Sequence, residues 1–60
     1  MENLDEEANE LTRLIRGKAV KVIRRHRVSE VMLEFHDGSR LFVNTTRDGL
    51  ELSVTGGDEG

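Results

Sequence analysis

The side chains able to do chemistry in this 60-residue chain are few and badly placed for it. His26 and His36 stand ten residues apart and lack the i, i+4 spacing that turns two imidazoles toward one metal ion. Ser29, Ser39 and Ser53 lie in turn or strand sequences with no local activating base, so they read as turn and β-forming residues rather than nucleophiles. Glu34 and Glu51 fall where they can share a sheet face, but acid–base work by two carboxylates needs a site that excludes water and splits their pKa values. An open sheet face does neither, and Arg40 already answers Glu34. Gly56-Gly57 follows an apolar stretch but precedes no helix, so it lacks the context of a phosphate loop. The expectation is a protein that is not an enzyme, with no cofactor, metal or small-molecule substrate.

Charge is more informative than its total. The formal net charge of −3 conceals a segregation along the chain. Glu2, Asp5, Glu6, Glu7 and Glu10 give the first ten residues −5, and Arg13, Arg16, Lys18, Lys21, Arg24, Arg25 and Arg27 give the next stretch +7. The remainder returns −5. Such blocks can neutralise one another within the fold, or the basic one can meet phosphates. Cysteine is absent, so neither a disulfide nor a thiolate metal site is available, and the chain reads as intracellular. An acidic start where a signal peptide would be basic and then apolar, together with no long apolar run, points to a cytoplasmic protein rather than a membrane one.

The elements that position these residues follow from periodicity. Leu4, Ala8, Leu11 and Ile15, with Leu14 beside them, repeat at helical spacing. Asn3 suits the N-cap with Glu6 three residues on, acids fill the first turn, Arg13 and Arg16 the last, and Gly17 suits the stop. A helix is predicted over about 4–16. Beyond Gly17 the period changes to two: Val31, Leu33 and Phe35, then Leu41, Val43 and Thr45, then Leu50, Leu52 and Val54. The β-branched "KAVKVIRR" favours a further strand over a second helix at 18–29, the main alternative. Strands are predicted at about 18–26, 30–36, 39–46 and 50–55, with a disordered tail at 56–60. The whole is one small α+β domain, 1–60: an N-terminal helix on a four-stranded antiparallel meander, αββββ.

Strand register decides which side chains remain for function. A two-residue turn at Asp37-Gly38 scatters the apolar residues over both faces. A three-residue loop, His36-Asp37-Gly38, with Gly38 left-handed, pairs Val31 with Val43 and Leu33 with Leu41 and keeps one face apolar. It also sets Glu34 against Arg40 and Met32 against Phe42 on the other face. At Asp48-Gly49 a two-residue turn is expected, with Thr45 opposite Leu52 and Val43 opposite Val54. The helix is then expected to cover Val20, Val22, Val31, Leu33, Phe35, Leu41, Val43, Leu50, Leu52 and Val54.

The second face is expected to show Ile23, Met32 and Phe42 as an apolar stripe rimmed by Glu34, Arg40, Lys21, Arg25, His36 and Glu51. Such a stripe marks an interface unless Arg and Lys stems drape over it. A chain this short is marginal alone, so a protein-interaction or regulatory module, homodimeric or bound to another protein through Ile23, Met32, Phe42, Glu34 and Arg40, is the leading expectation. The alternative is nucleic-acid binding by Lys18, Lys21, Arg24, Arg25 and Arg27. Two Phe and no Tyr or Trp leave little for base stacking.

Overall fold

The computed structural model describes residues 3–56 and shows one helix followed by an antiparallel meander: α1 Leu4–Ile15, β1 Val20–Arg27, β2 Glu30–Phe35, β3 Arg40–Thr46 and β4 Gly49–Thr55, in spatial order β1-β2-β3-β4. The segment weighed as a second helix is therefore strand β1. The expected tail beyond Gly56 lies outside the described residues.

Asn3 and Gly17 mark the ends of α1 as read, while Arg16, expected in the last turn, is the extended C-cap residue. Asn3 is extended, and its side-chain oxygen accepts a hydrogen bond from the Glu6 backbone N–H at 2.9 Å, satisfying one free donor of the first turn. Asp5, Glu6 and Glu7 fill that turn and Arg13 the last, the arrangement the helix dipole favours. At the other end Arg16 N–H donates to the Thr12 carbonyl at 2.8 Å and Lys18 N–H to the Ile15 carbonyl at 3.1 Å, with Gly17 between them at φ +82°.

The β2–β3 hairpin takes the predicted register: Val31 pairs with Val43, Met32 with Phe42, Leu33 with Leu41 and Glu34 with Arg40. Its loop is His36-Asp37-Gly38, closed by Gly38 N–H to the Phe35 carbonyl at 3.0 Å and Phe35 N–H to the Ser39 carbonyl at 2.9 Å. Gly38 sits at φ +91°, a conformation that a side chain disfavours.

The β3–β4 turn differs from expectation. Thr46 pairs with Gly49, Thr45 with Leu50, Val43 with Leu52 and Leu41 with Val54, so the two loop residues are Arg47 and Asp48. Gly49 opens the strand at φ +134° instead of serving in the loop. The Thr46 hydroxyl favours this shifted arrangement, donating to the Gly49 carbonyl at 3.0 Å and accepting from Asp48 N–H at 3.2 Å. Each β4 residue slides by two positions against β3, so the period-two alternation keeps every side chain on its predicted face.

Strand β1 corrects the map more deeply. Val20 pairs with Phe35, but Val22 pairs with Glu34, Ile23 with Leu33 and Arg24 with Met32; a further irregularity follows before Arg27 meets Glu30. A bulge between Val20 and Val22 inserts a residue into β1, and an inserted residue exchanges the faces of those that follow, here Val22 to Arg24, until the second irregularity. Val22 therefore joins the second face and Ile23 leaves it for the face of Leu33.

Burial also falls short of the expected helix-on-sheet core. Among the described residues the buried hydrophobic side chains are Met32 and Phe35, at 4% and 3% exposure, and no residue of α1 is buried. Leu11 and Ile15 of α1, and Leu52, Val54, Leu41, Val43, Val31 and Leu33 of the sheet, are half-buried. Leu50, expected under the helix, is 66% exposed, and Val20 is exposed as well.

Candidate interaction surfaces

On the second sheet face, register brings Met32, Phe42, Glu34 and Arg40 together as read from the sequence. They line a shallow depression of about 360 Å³, completed by Arg24 and His26. Ile23 is not part of it, and the expected rim of Lys21 and Arg25 is replaced by Arg24, the cross-strand neighbour of Met32. Arg40 Nε lies 3.6 Å from Glu34 Oε1 beside the two apolar side chains. Met32 is already closed off within the single chain and Phe42 is half-buried. Glu51 pairs across β3 with Asn44, itself opposite Glu30, so it is not brought beside Glu34.

Three of the five cations read as a nucleic-acid surface, Lys18, Arg25 and Arg27, make contacts within the fold. Lys18 is ion-paired with Asp37, across nineteen positions of sequence. Arg25 donates from Nε to the Glu30 carbonyl at 2.8 Å and from Nη2 to the Val28 carbonyl at 2.7 Å, which closes the β1–β2 turn through its side chain. Arg27 Nε stands 3.5 Å from the carboxylate of Glu30, a buried acid. Lys21 and Arg24 have no ion-pair partner among the described residues.

Asp37 is the most strongly perturbed group. The Lys18 ammonium first, and then the Ser39 hydroxyl at 2.6 Å and the Ser39 backbone N–H at 2.9 Å, hold its carboxyl well below the usual carboxylate range. With His36 N–H donating to the Ala19 carbonyl at 3.0 Å, this contact fastens the chain just before β1 to the β2–β3 loop. Neither Lys18–Asp37 nor the Arg25 bridge was read from the sequence. The Asp-Gly-Ser run is the one local signal for part of it, since an Asp side chain in a turn accepts readily from the N–H two residues on.

The sign of the pH effect follows from the depressed value. Ionised Asp37 favours the folded chain, so its contribution is complete above about pH 4 and is lost as pH falls toward the folded-state value. Lys18→Met should move the Asp37 titration, followed by carboxyl ¹³C NMR, back up toward the ordinary range. An unchanged titration would assign the whole effect to Ser39.

On the opposite face, α1 stands beside β4 and leaves two grooves. One, of about 620 Å³, is lined by Asn3, Leu4 and Glu7 of the helix end and by Asp48, Gly49, Leu50 and Leu52. The other, of about 260 Å³, runs on between Glu7, Glu10, Leu11 and Leu14 and the strand residues Leu52, Ser53 and Val54. Together they form a trough along the helix, apolar at its base and acidic at its rim. Leu4 is 67% and Leu14 43% exposed along it.

Among the described residues no three metal-ligating side chains are gathered at one point, and no helix is long and apolar enough to cross a membrane. Compared with protein-family models, curated proteins and solved structures, the chain matches none.

Proposed function

We propose that this chain is a small non-enzymatic protein-interaction module that completes its apolar core against another polypeptide and associates with itself. One observation carries the reading: two hydrophobic side chains are buried among the described residues, while Leu4, Leu14, Val20, Ile23, Val28 and Leu50 are exposed. Scattered exposed Leu or Val is ordinary, but a domain that hides so little of its own apolar set lacks the burial that offsets chain entropy. Dimensions support the same reading. The Cα radius of gyration is 12.2 Å, against about 10 Å expected for a compact chain of this length. The exposed area is 4766 Å², against about 4,000 Å² for a compact monomer of this mass.

Nucleic-acid binding is the less favoured reading, because Lys18, Arg25 and Arg27 are committed within the fold. The test is thermal unfolding over a dilution series beside sedimentation. The midpoint should rise with concentration as a dimer forms, since folding is linked to assembly. A monomer at high micromolar concentration with a sharp, concentration-independent midpoint would refute the reading.

A further inference from the structure

We infer that the outer edge of β4, with the trough beside α1, takes an extended segment of another polypeptide in which apolar and basic residues alternate, added to the sheet as a fifth strand. This rests on the interaction-module reading and gives it a surface and a partner of defined chemistry.

The two edges of the sheet are β1 and β4, and they differ in what they offer. Strand β1 is guarded: two irregularities interrupt its ladder, and Lys21, Arg24, Arg25 and Arg27 crowd its length. Bulges and basic side chains are what keep an edge from pairing. Strand β4 has neither. Its seven residues pair with β3 from Thr46–Gly49 to Arg40–Thr55 without a shift, and they include no Lys, Arg or Pro. Among the described residues the β4 backbone is bonded to β3 and, at Gly49, to the Thr46 hydroxyl, and nothing is bonded on its outer side. An antiparallel edge strand turns alternate N–H and C=O groups outward, where they can pair with an added strand.

Side chains then select the sequence of that strand. A segment laid beside β4 sets every second side chain on the face of Leu50, Leu52 and Val54, the base of the trough. Apolar residues there bring cover to Leu50, which the chain leaves 66% exposed. The acids around the site are Glu7 and Glu10 on the rim, Asp48 at one end and Glu51 on the opposite face of β4, and no cation lines either groove. Glu10 keeps Arg13 as an exposed partner, whereas Glu7, Asp48 and Glu51 have no ion-pair partner among the described residues. Lys or Arg at the remaining positions of the segment supplies one. A second copy does not fit as well. Its own β4 carries no cation and would bring a second acidic rim to the first, and its basic strand, β1, is the guarded edge.

The test uses the full chain and a capped synthetic peptide, matched to β4 in length, that alternates Lys and Val. The peptide should bind at low salt, and its counterpart alternating Glu and Val should bind about tenfold more weakly. Methylating the amide nitrogens of the Lys peptide removes the donors a ladder requires and should abolish binding, which attraction by charge alone would survive. Bound peptide should slow amide exchange at alternate β4 residues by about tenfold and leave β1 unchanged. Glu7→Gln with Asp48→Asn should weaken binding about fivefold, the scale of two exposed ion pairs, and Leu50→Ser should weaken it as well. Equal binding of the Lys and Glu peptides, binding that survives methylation, or protection that falls on β1 instead of β4 would overturn the inference, and so would no binding at millimolar peptide. The concentration dependence of the thermal midpoint without peptide tests the module reading separately, so the two failures are told apart.

Discussion

Phe35→Ala should leave the chain largely unfolded at micromolar concentration. Phe35 is 3% exposed at the end of β2, paired with Val20 on one side, and its backbone closes the β2–β3 loop through Ser39 and Gly38. Truncating a buried Phe typically costs about 3–5 kcal/mol, through lost transfer energy and the cavity left behind. A single core of this size, in a chain with no cysteine to form a disulfide, rarely supplies more than about 3–5 kcal/mol in total. The loss is thus as large as the reserve, with no other aromatic nearby to collapse into the space. Circular dichroism should lose its strand signal, and the amide proton spectrum should narrow toward random-coil shifts. A cooperative transition within a few degrees of the parent would show that Phe35 is not a centre of the core.

What could be read from the residues, and what could not, divides along one physical line. The β2–β3 hairpin was legible because two independent constraints agree there. Val31 and Leu33 must share a face with Leu41 and Val43, and Asp37-Gly38 offers a loop whose third residue tolerates positive φ. That register brought Met32, Phe42, Glu34 and Arg40 together correctly. At the β3–β4 turn the sequence Thr46-Arg47-Asp48-Gly49 allows either placement of the loop, and the choice rests on hydrogen bonds of the Thr46 hydroxyl, which no periodicity records. The error there was harmless to the faces because the strand slid by an even number of residues.

In β1 the error was odd. "AVKVIRRHR" has no clean alternation to betray an inserted residue, so Ile23 was assigned to the face that Val22 and Arg24 occupy. Contacts between distant parts of the chain, such as Lys18 with Asp37, leave no local trace in the sequence at all. Helix α1 shows the same limit. Its stripe and caps specified that a helix forms, but not how much of it the sheet would cover.

Met32→Ala tests whether the second face serves the chain's own core. Met32 lies on a central strand at 4% exposure, flanked by Arg24 and Phe42, and opens into a depression rather than a flat apolar patch. If these neighbours already exclude water, truncation should cost about 2–5 kcal/mol, and Met32→Leu, which conserves volume, less than about 1.5 kcal/mol. The distinguishing readout is how the loss varies with concentration. A core residue lowers the midpoint equally across a dilution series and leaves its slope intact, because the monomer's folding free energy changes and the dimer contact does not. An interface residue flattens that slope. A Met32→Ala chain that keeps the parent's midpoint when dilute but loses the rise at high concentration would place the dimer contact on this face.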